Sequence, residues 1–158
     1  MTFVYFLYIC DHKLTFTNLS KKIMSYKIID VEGIGPVYAE KLTAAGITTT
    51  DALLEKCANP KGRKELAEET GISPNLILTW TNHSDLMRIK GVGPQFSELL
   101  EAAGVDTVKE LRHRVAANLH AKMVEINDQK NLVNRVPVEA EIQKMIDIAK
   151  ELPVVMTY

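Results

Sequence analysis

The chain has 158 residues, 46% hydrophobic and 25% charged, with a formal net charge of −1. That length buries a core as one domain or two small ones, and so even a charge balance excludes a protein coated in nucleic acid by bulk charge, which would be strongly basic. Residues 1–23 hold Lys13, Lys21, Lys22 and the single acid Asp11, so the remainder carries 16 bases against 19 acids, near −3, and any nucleic-acid site must be a local patch.

Residues 3–10 are apolar but far too few to span a bilayer. No basic segment precedes them and no small-residue cleavage site follows, which argues against a signal peptide. Residues 1–23 read as an extension outside the fold, with Met24 rather than Met1 as the working start. Cys10 and Cys57 are far apart and define neither a metal spacing nor a disulfide framework. Reduced thiols in a cytoplasmic protein are the expectation.

From Ser25 the pattern is helical throughout, with no sustained strand alternation. Ser25 is placed to cap a short helix carrying Ile28, Ile29 and Val31. Gly33-Ile34-Gly35 then makes a tight turn, and Pro36 suits the first position of a helix. Tyr38, Leu42 and Ala45 share one face of that helix, and Gly46 stops it. Thr49 or Thr50 caps a connector helix through Cys57. A loop over residues 58–62 leads to a helix from Arg63 to Thr70. Gly71 ends it, and Ser73-Pro74 opens another through about Thr81.

The pattern restarts at Ser84 with a short helix carrying Leu86, Met87 and Ile89. Gly91-Val92-Gly93 is the second tight turn. Pro94 opens a helix with Phe96, Leu100 and Ala103 inward, stopped by Gly104. Thr107 and Glu110 form a capping box for a second connector helix. Asn118 caps a helix through Asp128. Pro137 begins a last one with Val138, Ile142, Met145 and Ala149 on one side, and Pro153 ends it.

Residues 30–54 and 88–112 align at a constant offset of 58 with ten identities in 25 positions, both turn glycines and the proline among them. A fixed internal offset marks a repeated structural unit. The order is a short helix, Val31-Glu-Gly-Ile-Gly35 or Ile89-Lys-Gly-Val-Gly93, proline, then a helix with a small residue at Ala39 or Ser97. It resembles the helix-hairpin-helix motif, and two copies in register are specific evidence for it.

In families with this motif, two such units joined by a connector helix commonly form one compact pseudo-twofold domain. The resemblance therefore implies an all-α tandem of two helix-hairpin-helix domains, residues 24–82 and 83–153, with a tail over 154–158. Residues 42–73 also resemble the N-terminal helix-hairpin-helix domain of Rad51-like recombinases. More closely, residues 24–153 are similar to a prokaryotic family known as a domain of unknown function (number 4332). That similarity rests on Asn59-Pro-Lys-Gly-Arg-Lys-Glu-Leu-Ala-Glu, Leu86-Met-Arg-Ile-Lys-Gly-Val-Gly, Ala102-Ala-Gly-Val-Asp-Thr-Val-Lys-Glu-Leu and Asn118-Leu-His-Ala-Lys-Met. It implies fold far more firmly than function.

The amides at Gly33, Gly35, Gly91 and Gly93 are candidates for gripping a phosphate, since glycine permits close approach and positive φ and a helix N-terminus carries partial positive charge. Such contacts position a nucleic-acid backbone without reading sequence. The alternative is that these glycines merely make tight turns. The binding reading is weighed ahead at the second turn, which has Arg88, Lys90 and Gln95 beside it; the first has Asp30 and Glu32. Many DNA-binding copies of the motif carry a cation just after Gly-Pro, where this chain has Val37 and Gln95. Lys61, Arg63 and Lys64 are a second basic candidate, because cations at a helix start oppose its dipole unless an anion is bound. Arg112, His113, Arg114, His120 and Lys122 are a third stretch, read as an exposed helix face.

His83, His113 and His120 lack partners at ligand spacing, so no metal and no cofactor is expected. No nucleophile–base pair or phosphate loop of an enzyme stands out. Trp80 and Tyr38 read as core. The leading expectation is a non-enzymatic, sequence-nonspecific DNA-backbone-binding module. The runner-up is a protein-interaction adaptor on the same scaffold, with no membrane and no small-molecule substrate.

Overall fold

The computed structural model describes residues 24–158; the N-terminal extension, Cys10 included, lies outside the described residues. Among them the protein is all-helical, with eight α-helices in chain order: α1 Pro36–Ala44, α2 Thr50–Cys57, α3 Pro60–Thr70, α4 Pro74–Leu86, α5 Pro94–Ala102, α6 Val108–Leu111, α7 Ala116–Lys130 and α8 Glu139–Glu151. A 3-10 turn, Ile28–Asp30, precedes α1 and follows Lys27, with no cap from Ser25.

The 58-residue repeat is also a repeat of backbone bonding. Ile34 N donates to Val31 O and Val92 N to Ile89 O, each at 3.0 Å. Ala39 N reaches Gly35 O and Ser97 N reaches Gly93 O, each at 2.9 Å. At the far end, Ile47 N bonds Leu42 O at 2.8 Å and Val105 N bonds Leu100 O at 2.9 Å. Gly46 and Gly104, with φ of 84° and 89°, close α1 and α5 alike. Thr49 caps α2 by accepting from Ala52 N, and Thr107 caps α6 by accepting from Glu110 N.

Two hydrophobic cores follow. The first gathers Ile28, Val31, Ile34, Leu42, Leu53, Leu66, Ile77 and Trp80; the second gathers Leu86, Ile89, Val92, Leu99, Leu100, Leu111, Met123, Ile142 and Ile146. They divide between neighbours, Leu86 in the second and Met87 in the first. Tyr38 packs on Trp80 with ring centroids 5.1 Å apart, as their apolar helical positions predict.

Several boundaries differ from the sequence reading, each for a local reason. α3 begins at Pro60 because Asn59 caps it, its side chain accepting from Gly62 N at 2.8 Å. The loop read over 58–62 is therefore mostly first helical turn. α4 does not stop near Thr81 but continues to Leu86, with Thr81 and Ser84 hydroxyls donating to the Ile77 and Trp80 carbonyls. No separate helix carries Leu86, Met87 and Ile89, and the expected division at residues 82/83 falls inside α4. α7 starts at Ala116 after Val115, not at Asn118. Asn131 ends it in the left-handed region, φ 50°. Val138 is exposed as the N-cap of α8 rather than packed within it. Glu110 bonds the amide of Asp106 instead of Thr107, so only half of the expected capping box forms. The stretch 154–158, read as a tail, is bonded to the body: Thr157 N donates to Ala58 O at 2.9 Å and Met156 is buried.

Candidate functional site

The two Gly-x-Gly turns present the same geometry. Gly33 and Gly91 have φ of 84° and 98°, values an L side chain resists. Gly35 and Gly93 do not share this property. Their φ values are −81° and −94°, each is the N-cap of a helix, and each leaves open space, with nothing within 4 Å of where a Cβ would sit. A positive φ therefore marks only the first glycine of each turn. Neither cap supplies a side-chain bond, and Pro36 and Pro94 follow directly. A proline at this position has no amide of its own, so any anion would meet amides deeper in the first turn.

The structure separates the candidate cations into two groups. Lys90 and Gln95 are exposed beside the second turn. Arg88 is not: it is 5% exposed, its Nη1 lies 2.6 Å from Asp85 Oδ1, and its Nη2 donates to Pro153 O at 2.9 Å. Arg63 is likewise 7% exposed, donating to the carbonyls of Cys57, Ala58 and Thr157. Both guanidinium groups are turned inward and satisfied, so neither stands at a surface where a phosphate would meet it. Lys61 and Lys64 remain exposed, paired loosely at 3.9 and 4.0 Å with Glu65 and Glu68 one turn on. The opposition between cations and the α3 dipole is thus relieved by i,i+4 acids and by the Asn59 cap, with no anion needed.

Of the third basic stretch, His113, Arg114 and Lys122 line a shallow hollow of about 280 Å³ near the start of α7. Arg114 is bonded to Gly104 O and Lys122 to Glu125. Arg112 faces elsewhere, binding the carbonyls of Ala149 and Leu152.

Electrostatics around the turns work against phosphate on one side. Burial first, then the Glu32 and Glu101 charges, push the Glu98 carboxyl on α5 above its ordinary range. Glu32 belongs to the first turn, so that turn sends negative potential to the middle of α5, at Glu98. Asp106 is raised by burial first and then by Glu110 and Glu101. His83 faces this acidic side from α4, its Nε2 2.6 Å from Glu101 Oε2, while its Nδ1 is buried with no hydrogen-bond partner.

Cys57 is buried, and burial pushes its thiol up to about 11; a thiol so placed is inert as a nucleophile. Asp85 is 1% exposed and burial pushes its carboxyl upward, against the pull of the Val108 amide and Arg88. Among the described residues no three His, Cys, Asp or Glu side chains are placed to hold a metal ion, and no helix is long and apolar enough to cross a membrane. The Asp85–Arg88 pair and the His83–Glu101 pair escaped the sequence reading. The i,i+3 spacing of Asp85 and Arg88 was a usable signal; the second pair joins different helices and had none.

No curated protein and no solved structure matches the chain. The model of one family, described as a domain of unknown function (DUF4332), matches residues 32–152, most of the chain. By that match, and with the all-helical body just described, the chain belongs to the DUF4332 family.

Proposed function

We propose that the protein is a non-enzymatic module of two helix-hairpin-helix units that contacts a DNA backbone, without reading sequence, through its Gly-x-Gly turns. The observation carrying this reading is the pair Gly35 and Gly93. Backbone conformation does not call for glycine there, and neither does packing. A cap without a side chain leaves room for the close approach of a ligand to a helix N-terminus. The second turn is the stronger of the two because Lys90 stands exposed beside it, whereas Glu32 opposes an anion at the first.

The inward turn of Arg63 and Arg88 favours a second reading, a protein-interaction adaptor on the same scaffold. With those two removed, Lys90 is, among the described residues, the one cation of the second turn that faces solvent, and Val37 at the first turn is 66% exposed. Fluorescence anisotropy of the full chain with labelled single-stranded, duplex and forked DNA, titrated with salt, separates the two. The DNA reading expects affinity no tighter than the nonspecific range of about 10⁻⁴ to 10⁻⁶ M, lost early as salt rises. Absence of binding to all three forms at low salt overturns it in favour of the adaptor.

A further inference from the structure

Residues 153–158 leave the end of α8, in the second core, and run back across the first half of the molecule. Arg88 holds Pro153 O at 2.9 Å. Ala58 O accepts Thr157 N at 2.9 Å, and Arg63 Nη2 donates to Thr157 O at 2.8 Å. The Tyr158 hydroxyl reaches Asn82 Oδ1 on α4 at 3.0 Å, and its ring lies 5.7 Å from the Arg63 guanidinium carbon. Arg63 is itself fixed by the carbonyls of Cys57 and Ala58, so it acts as a rigid post. Met156 is 4% exposed yet belongs to neither core; it is a plug of its own.

Two features make this segment separable from what lies beneath it. Its polar anchors are mostly main-chain groups that water would satisfy equally on release. It is also incompletely packed, for a cleft of about 390 Å³, walled by Leu54, Ala58, Pro153 and Val155, stays open beside it. Neither core draws a residue from 153–158. Elements with few apolar contacts and exposed bonds open well before a protein unfolds.

We propose that residues 153–158 are a latch. Docked on Arg63, Ala58 and Asn82, the latch locks the second core to the first and fixes the relative aim of the two Gly-x-Gly turns. Released, it leaves the halves joined through α4, whose last turns both cores share, and lets them rock about that helix while each core stays folded. The proposal holds whether the turns meet DNA or protein.

The test places spin labels on the full chain at Val37→Cys and Val124→Cys, both exposed, with Cys10→Ser and the buried Cys57 left in place. The intact latch gives one narrow interlabel distance. Deleting residues 154–158, or replacing Met156→Asp in the full-length chain, broadens the distribution about twofold while the far-UV helical signal persists. Adding the peptide Pro-Val-Val-Met-Thr-Tyr to the shortened chain narrows it again, and the same peptide with aspartate for methionine does not. An unchanged width in both variants overturns the latch. So does loss of the helical signal in both, since the segment would then be part of a core.

Discussion

Asp85 does with its side chain what Tyr26 does with its main chain one repeat earlier. The amide of Thr50, at the start of α2, donates to the Tyr26 carbonyl at 3.0 Å; the amide of Val108, 58 residues on at the start of α6, donates to Asp85 Oδ2 at 2.9 Å. In the first unit an extended segment, Lys27 paired antiparallel with Thr49, offers its carbonyls sideways. In the second unit the same place is taken by the last turn of α4, whose carbonyls are engaged along the helix. A carboxylate substitutes, and Arg88 neutralises it from one turn away.

Both partners of that pair are nearly inaccessible, so breaking it strands a buried charge. Asp85→Ala or Arg88→Ala is expected to cost about 3–5 kcal/mol of unfolding free energy, whereas replacing both with apolar residues of similar size costs far less. Urea denaturation of the two single variants and the double variant measures this. Near-additive losses would mean that the two groups are not coupled.

Three glycines are expected to behave differently on substitution. Gly62→Ala brings a Cβ within 1.7 Å of the Lys56 carbonyl oxygen, so α2 or α3 must shift, and it should be the most destabilising of the three. Gly91→Ala meets no such wall but keeps a φ of 98°, costing on the order of 1 kcal/mol. Gly93→Ser faces open space at an N-cap and should leave stability level or raise it by a few tenths of a kcal/mol, while weakening any ligand that needs close backbone approach. Melting curves paired with DNA anisotropy check the set. Destabilisation by Gly93→Ser would remove the argument for an external ligand.

For DNA binding, Lys90→Glu should abolish the signal and Glu32→Lys should strengthen it. The log–log salt slope should steepen by roughly 0.9 for every additional phosphate that the protein neutralises, and flatten by the same step for every one it releases. A Lys90→Glu protein with unchanged affinity would place the site elsewhere.

The pH dependence has a definite sign. Glu98, Asp106 and Asp85 all have carboxyl pKa values raised by the fold, burial being the first cause in each. Their contribution is fully present below the unfolded-state pKa and is lost as pH rises through the folded value. Glu141 is the reverse: the Arg135 side chain and then the Val138 amide hold it down to about 2, so its contribution is present above the ordinary carboxyl range and is lost as pH falls from there through about 2. Together these three carboxyls are therefore expected to raise the melting temperature as pH falls through their folded-state values toward the ordinary carboxyl range. Glu98→Gln with Asp106→Asn should flatten that rise, and a double variant with the wild-type slope would count against the assignment.

The elements legible in the sequence were those written in local chemistry: the stops at Gly46, Gly71 and Gly104, the Pro36, Pro74 and Pro94 starts, and the Thr49 and Thr107 caps. The run from Thr81 to Ser84 misled because polar residues mid-helix imitate a boundary. Here two hydroxyls back-bond to carbonyls four residues earlier, and Asn82, His83 and Asp85 all find distant partners. The roles of Arg63 and Arg88 could not be read because their acceptors, Thr157 and Pro153, lie 94 and 65 residues away. A side chain's charge is a property of the sequence; the direction it faces is settled by tertiary contacts.

The passage of α4 from one core into the other sets a phase between them. A helix turns about 100° and advances about 1.5 Å per residue, and Ile77 and Trp80 face the first core while Leu86 faces the second. One residue inserted between Trp80 and Leu86 would rotate the second half by more than a quarter turn and carry Glu98 of α5 away from the Glu32 charge that now reaches it. An insertion in a surface loop imposes no such rotation, but this stretch counts residues, as the shaft between two gears does.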